Sequence, residues 1–151
     1  MKDIADLAHR LTLRFGTSSP FELCDCLGIR IQKPELPETV RALFVQTEGG
    51  QKIILLNSFL EEPEIRYCCA HELGHVLLHR GMNAQAIADL TDLCLPRYEH
   101  EADLFAACLM IDPCLEEWAR CYDPLSLQQI ACLSGLPEQV VALRFSVSNK
   151  K

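Results

Sequence analysis

The chain has 151 residues, about the length of one globular domain, and 49% hydrophobic with 23% charged residues excludes a disordered or low-complexity polypeptide. Lys and Arg number 14 against 21 Asp and Glu, a net charge of −7 that argues against a protein whose main work is gripping a phosphate backbone. The acidic start Met1-Lys2-Asp3-Ile4-Ala5-Asp6 is unlike a signal peptide, and no stretch reaches about 18 uninterrupted apolar residues, so a cytoplasmic location is expected.

Ile4, Leu7, Ala8, Leu11 and Phe15 recur at helical spacing and predict an amphipathic helix ending near Gly16. Ser19 as cap, Pro20 in the first turn and Glu22 as capping-box partner predict a short second helix that stops at Gly28. Ile29-Arg30-Ile31-Gln32 alternates like a strand until Pro34 and Pro37 break it. Val40 to Gln46 and Lys52 to Asn57 are β-prone runs around Thr47-Glu48-Gly49-Gly50-Gln51, an antiparallel hairpin with a glycine turn. A third helix is predicted from near Pro63 through His79, with Gly81 as its stop; Leu90 to Pro96 is ambiguous. Another helix spans about Arg97 to Met110, ended by Asp112-Pro113. Two short ones follow, opened by Ser126 with Gln129 and by Pro137. The expected fold class is α+β, a single domain over 1–151. It divides into helices and a strand in 1–33, a hairpin in 40–57, helices in 63–111 and C-terminal helices in 112–151.

Nine cysteines, an odd number without Cys-x-x-Cys spacing, are read as reduced and mostly buried. Cys68, Cys108 and Cys132 fall in apolar helical patterns, where a thiol acts as a small hydrophobe. A redox role for Cys24-Asp25-Cys26 or for Cys68 and Cys69 is the less favoured alternative.

Three of the five histidines lie at positions 71, 75 and 79. Residues four apart on a helix share a face, about 6 Å apart along the axis, so His71-Glu72-Leu73-Gly74-His75 can converge two imidazoles on one zinc ion. Glu72 lies beside that face and can reach a water there without ligating the metal. Gly74 inside a helix costs roughly 1 kcal/mol relative to Ala, which suggests that something packs closely against that turn. A solvated histidine face is the bland alternative. The apolar neighbours Tyr67, Cys68, Ala70, Leu73, Val76, Leu77 and Leu78 disfavour it, because buried imidazoles and carboxylates need partners.

A catalytic zinc site needs a third protein ligand and an open position. Glu99 and Asp103, four apart, share a face of the next helix. Glu99 is the expected ligand, and Asp103 the acceptor for the free ring N–H of a ligand histidine. Glu101, pointing elsewhere, is the less favoured ligand. Acids simply favouring a helix start would not account for Asp103 within an apolar stretch. His79, about 12 Å along the axis from His71, is too far to share the ion and should hydrogen-bond or pack; His9 and His100 should be solvated.

His71-Glu72-Leu73-Gly74-His75-Val76-Leu77-Leu78-His79, followed by Glu99-x-Glu101-Ala102-Asp103-x-Phe105-Ala106-Ala107, resembles the ImmA/IrrE family of zinc metallopeptidases. Upstream, Phe15-Gly16-Thr17-Ser18-Ser19-Pro20-Phe21-Glu22-Leu23, Leu27-Gly28-Ile29 and Ile54-Leu55-Leu56-Asn57 are similar too, so the resemblance runs from about residue 5 to residue 111. It implies a compact gluzincin-like fold with its active-site helix packed on a small sheet. It also implies zinc ligands at His71, His75 and Glu99, a general base at Glu72, and cleavage of a helix-turn-helix repressor encoded by a mobile element, prophage or stress regulon. Met110-Ile111-Asp112-Pro113 departs from the Leu-Leu-Met-Pro-like ending common there, which bears on the neighbouring substrate surface.

The expected chemistry is metal-assisted amide hydrolysis, with substrate added as a strand along the hairpin edge. No donor to the oxyanion is assigned. Two rival readings are a metal-binding regulator that does not cut, which an intact Glu72 disfavours, and a DNA-binding module. Leu127 to Val141 does read like helix–turn–helix, but residues 126–145 contain one Glu and one Arg, no basic footprint.

Overall fold

The computed structural model describes residues 2–80 and 95–146. Gly81 and residues 90–94 of the ambiguous stretch lie outside them. Helix α1 (Lys2–Phe15) turns Ile4, Ala8 and Leu11 into the core. Helix α2 (Pro20–Cys26) starts at Ser19, whose hydroxyl accepts the Glu22 N–H at 3.4 Å. The reciprocal half of the expected capping box is absent. Thr17 intervenes, its Oγ1 accepting the Ser19 N–H at 3.1 Å while its hydroxyl donates to the Glu22 carboxylate.

Three short strands follow, β1 (Arg30–Gln32), β2 (Ala42–Gln46) and β3 (Lys52–Leu56), in the spatial order β1-β3-β2. The β2–β3 hairpin is antiparallel with Phe44 opposite Ile54, and β1 extends it in parallel with Ile31 opposite Ile54. Central β3 buries Ile54 and Leu56 completely, while among the described residues no strand pairs on the outer side of β2. The long connection from β1 to β2 is held by residues just past β3. The buried Asn57 side chain donates to the carbonyls of Leu36 (3.0 Å), Pro37 (3.2 Å) and Val40 (2.8 Å), and its oxygen accepts the Leu36 N–H at 3.1 Å. Backbone bonds from Ser58 N–H to the Pro34 carbonyl (2.9 Å) and from Asn57 N–H to the Arg41 carbonyl (2.8 Å) tie down the same connection, and together they set the strand-side wall of the site described below.

Helix α3 (Glu64–Leu78) runs under the sheet and packs along α4 (Leu95–Ile111), which begins two residues earlier than Arg97. The two helices pack tightly at Gly74. A Cβ there would sit 3.1 Å from Ala102 Cα, 3.2 Å from its carbonyl oxygen and 3.2 Å from Phe105 Cδ1. The glycine therefore trades helix propensity for backbone contact.

The C-terminal part adds α5 (Leu115–Cys121), α6 (Leu127–Ser134) and α7 (Glu138–Ser146). Helix α5 lacks a side-chain cap and buries no residue, so no periodic signal announced it. Helix α6 has the complete Ser126–Gln129 capping box, and left-handed Gly135 (φ 73°) ends it. Ile130, Leu136, Val140 and Val141 meet Ala107 and Ile111 of α4 in a second apolar cluster, separate from the larger one around α1, α3 and the sheet. Arg144 of α7 grips Asp112 with two hydrogen bonds, 2.8 and 3.1 Å. Of the described cysteines, Cys24, Cys68, Cys69 and Cys108 are buried, but Cys132 is exposed. It stands two residues from Ile130, about 200° around the helix, and so faces away from the cluster. Cys26 and Cys121 are also exposed, so burial accounts for only half of those described. Among the described residues no helix is long and apolar enough to cross a membrane.

Candidate metal centre

The four-residue spacing on α3 stacks three rings in a row facing α4, with centroids 4.8 Å apart for His71 and His75 and 5.0 Å for His75 and His79. At the inner face, His71 Nε2 and His75 Nε2 lie 3.1 Å apart. Glu99 reaches both, one oxygen 3.1 Å from His71 Nε2 and the other 3.0 Å from His75 Nε2. These three residues form the group of potential metal-ligating side chains found among the described residues.

The outer nitrogens are each engaged. His71 Nδ1 meets Asp103 Oδ1 at 2.8 Å, and the Tyr67 hydroxyl donates to the same oxygen at 2.5 Å. His75 Nδ1 meets His79 Nδ1 at 2.9 Å, and His79 Nε2 meets Glu101 Oε2 at 3.0 Å. Arg97 Nε donates to the other Glu101 oxygen at 2.9 Å. Glu99 thus bridges His71 and His75, Asp103 sits at the His71 end of the row, and Glu101 is turned to His79. His9 and His100 are exposed.

An ionised carboxylate only accepts, so His71 donates from Nδ1 to Asp103, and a neutral ring then points a bare lone pair from Nε2. With His75 Nε2 and Glu99 this brings electron pairs together at about 3 Å, an arrangement that calls for a shared proton or a cation. In the protonated state, burial pulls the His71 imidazolium down, but hydrogen bonds to Asp103 and Glu99 outweigh it and raise its pKa to about 10. Hydrogen bonds from His71 and His75 hold the Glu99 carboxyl far below its usual range, against the effect of burial. Tetrahedral zinc with ligands at about 2.0–2.2 Å needs neighbouring donors roughly 3.3 Å apart, close to the separations present, and two imidazoles with one carboxylate are a donor set zinc accepts. The residues fit the metal.

Glu72 is 8% exposed and has no hydrogen-bond partner among the described residues. Burial raises its pKa, opposed by the attraction of His71 and His75. It opens onto a cleft of about 410 Å³ between Thr39–Ala42, at the entrance to edge strand β2, and His71, Glu72 and Glu99. A carboxylate beside the two histidines, largely buried yet opening onto the cleft, is placed to move a proton. Phe44 of β2 stacks on the ring of His75 with centroids 6.2 Å apart, so the sheet also orients the site.

Three contacts were beyond sequence reasoning. Tyr67, legible in the sequence only as an apolar neighbour, shares Asp103 with His71. Glu101, set aside as pointing elsewhere, is the partner of His79. Tyr98 lays its ring edge-on to His79 with centroids 4.3 Å apart. The signal available was the histidine row itself, whose third member needed a polar partner once buried, and Glu101 was the acid left over.

Residues 24–146 match the family model described as the IrrE N-terminal-like domain. The chain is 30% identical over 132 residues to metallopeptidase ImmA of Bacillus subtilis, an alignment covering 87% of this chain and 77% of that protein. It is 29% identical over 137 residues to uncharacterized immunity region protein 2 of Bacillus phage phi105, covering 90% and 85%. A Mycobacterium tuberculosis transcriptional regulator of known structure superposes with a TM-score of 0.65 over 97% of this chain at 16% identity, a likeness of fold. This chain spans 47% of that structure's length.

Proposed function

The chain belongs to the ImmA/IrrE family, and from that premise we propose that it is a zinc-dependent endopeptidase acting on a helix-turn-helix repressor in the cytoplasm. The observation that supports it most is the convergence of His71 Nε2, His75 Nε2 and Glu99 on one point beside the unpartnered carboxylate of Glu72.

His71, His75 and Glu99 would hold the ion. Zinc bound there supplies Lewis-acid chemistry, polarising a carbonyl and making water a usable nucleophile near neutral pH. Glu72 takes the proton of the attacking water and delivers it to the departing amine, so the C–N bond breaks with a neutral amine as leaving group. Its burial strengthens it as a base, since the carboxylate is poorly solvated. Asp103, shared between His71 and Tyr67, holds the His71 ring in the tautomer that ligates through Nε2.

The substrate backbone pairs along the open edge of β2, which leads directly past the cleft. A repressor substrate is suggested by the family resemblance and by a relative named for a phage immunity region. Direct contact with nucleic acid is not expected: α6 and α7 close on α4 through apolar residues, and a gel-shift titration across salt concentrations would expose any DNA binding. The decisive experiment incubates zinc-loaded protein with a helix-turn-helix repressor encoded by a neighbouring gene, where its genome carries one, with and without chelator, and reads fragments by mass spectrometry. One chelator-sensitive cut is expected. Intact repressor under both conditions would refute the substrate assignment, and a cut that persists without metal would refute the mechanism.

A further inference from the structure

Among the described residues, buried His79, 4% exposed, and half-buried Glu101 form a pair that the mechanism does not use. We propose that His79, backed by Glu101, is a positioning residue that fixes the ring tautomer and orientation of His75 as a metal ligand. The inference rests on the metal reading of His71, His75 and Glu99.

The hydrogen bonds leave each group one role. To ligate through Nε2, His75 carries its ring proton on Nδ1, and that nitrogen points at His79 Nδ1, 2.9 Å away. His79 Nδ1 must therefore accept, and a neutral ring accepting there has its proton on Nε2. Glu101 Oε2 stands 3.0 Å from that nitrogen to receive it, while Arg97 anchors the other Glu101 oxygen. Reversed roles fail. A proton on His79 Nδ1 would make His75 Nδ1 the acceptor, place a proton on His75 Nε2 facing His71 and Glu99, and leave Glu101 opposite a bare lone pair. Phe44 against His75 and Tyr98 against His79 confine both rings to these orientations.

The choice of a histidine here has an electrostatic reason. His71 is supported by a carboxylate in direct contact. A second carboxylate placed directly on His75 would add to the negative charge of Glu99 and Asp103 around Glu72. Inserting a neutral imidazole keeps the polarity of the support but moves the charge one ring farther out, the 5.0 Å between the His75 and His79 centroids. The two ligand rings thus have unlike supports, an acid shared with a tyrosine on one side and a histidine–acid relay on the other.

The test loads protein labelled with 15N-histidine with zinc alone and reads ring tautomers by long-range 1H–15N correlation. His79 is expected as the Nε2–H tautomer and His75 as Nδ1–H with Nε2 on the metal. His79 found protonated at Nδ1 overturns the proposal without any variant. A competition titration with a chromogenic chelator gives the second readout. His79→Phe, which cannot accept, should weaken zinc binding about 10–100-fold. His79→Asn, whose amide oxygen can take the place of Nδ1, should restore most of it. If His79→Phe does not fold, Glu101→Leu takes its place, with weakening of about tenfold expected. A folded His79→Phe or Glu101→Leu that binds zinc within twofold of the native protein overturns the proposal. Failure of the native chain to bind zinc would overturn the metallopeptidase reading together with it, whereas zinc bound with the other tautomer overturns this inference alone.

Discussion

The two apolar clusters of the molecule share helix α4 yet are built under different constraints. The larger one lies beneath the histidine row, and its packing has to deliver polar atoms to within a few tenths of an ångström. Small residues therefore sit where α3 and α4 cross, Gly74 against Ala102, so that backbones meet and Glu99 and Asp103 come within hydrogen-bond reach of His71. The smaller cluster, between the end of α4 and α6–α7, meets the cleft at one half-buried side chain, Tyr67, which packs against both clusters. Its order comes from ordinary devices: a capping box at Ser126, a left-handed glycine at 135 and the Asp112–Arg144 pair. Damage to the two regions should therefore separate, with chemistry lost in one and only stability in the other.

The largest effect expected is on turnover. On the mechanism proposed above, Glu72→Gln keeps the shape of the side chain but removes the base, so peptide cleavage should fall by about 10²–10⁴-fold. Zinc stoichiometry and melting temperature should stay close to native, because Glu72 is not among the converging ligands. Cleavage by Glu72→Gln at the native rate would remove this region's claim to the chemistry.

Gly135→Ala is the counterpart in the smaller cluster. A Cβ there would lie 2.4 Å from Pro63 Cβ, and the backbone sits at φ 73°, so steric overlap and left-handed strain combine. We expect a loss of roughly 2–4 kcal/mol in denaturant unfolding, with zinc affinity of the folded protein unchanged. Pro63 also caps α3, which makes this the most demanding test of independence. A fall in zinc affinity would show that the start of α3 transmits strain to His71.

Gly74→Ala should move both quantities at once. The new methyl meets Ala102 and Phe105 at 3.1–3.2 Å, an overpacking cost of about 1–3 kcal/mol set against about 1 kcal/mol of gained helix propensity. The net effect on stability is about 1 kcal/mol of loss. The forced separation of α3 from α4 draws Glu99 back from the rings, so zinc affinity should drop as well, measurable in the same chelator titration. A variant more stable than native with full affinity would show that the close crossing is not what sets the ligand distances.

The same contrast explains how much of the molecule was legible in the sequence. His71, His75 and Glu99 could be read because helical periodicity converts spacing into a shared face, and Gly74 because a glycine inside a helix has a cost that something must justify. The Ser126 box was readable for the same local reason. Asn57 was not: its four hydrogen bonds reach residues 17 to 21 positions back, and nothing in a strand-ending asparagine announces such a reach. Tyr67 and the His79–Glu101 pair were likewise hidden, because each depends on how two helices are rotated against each other. Helix α5 escaped because it has no capping side chain and no fully buried residue, only half-buried Leu115 and Trp118 against the smaller cluster and the exposed Glu116–Arg120 pair. The parallel addition of β1 was hidden too, since it pairs with β3 and its pairing passes over the long connection and the whole of β2.

Ser126→Ala is the mildest lesion and the cleanest control. The native hydroxyl accepts the Gln129 N–H at 3.2 Å, and the Gln129 side-chain oxygen accepts the Ser126 N–H at 2.9 Å. Removing the hydroxyl leaves the Gln129 N–H to water, because the site is exposed, so the cost is that of a lost cap rather than of a buried orphan: about 1 kcal/mol. For a chain of this length that is a fall of about 2–4 °C in melting temperature. Ser126 opens helix α6 at the end away from Gly135 and its contact with Pro63 at the start of α3, so zinc affinity and cleavage should match the native protein at temperatures where both are folded. A Ser126→Ala protein with the expected melting temperature but weaker zinc binding would mean that fraying of α6 lets α4 shift along α3, and the two clusters would have to be treated as one mechanical unit.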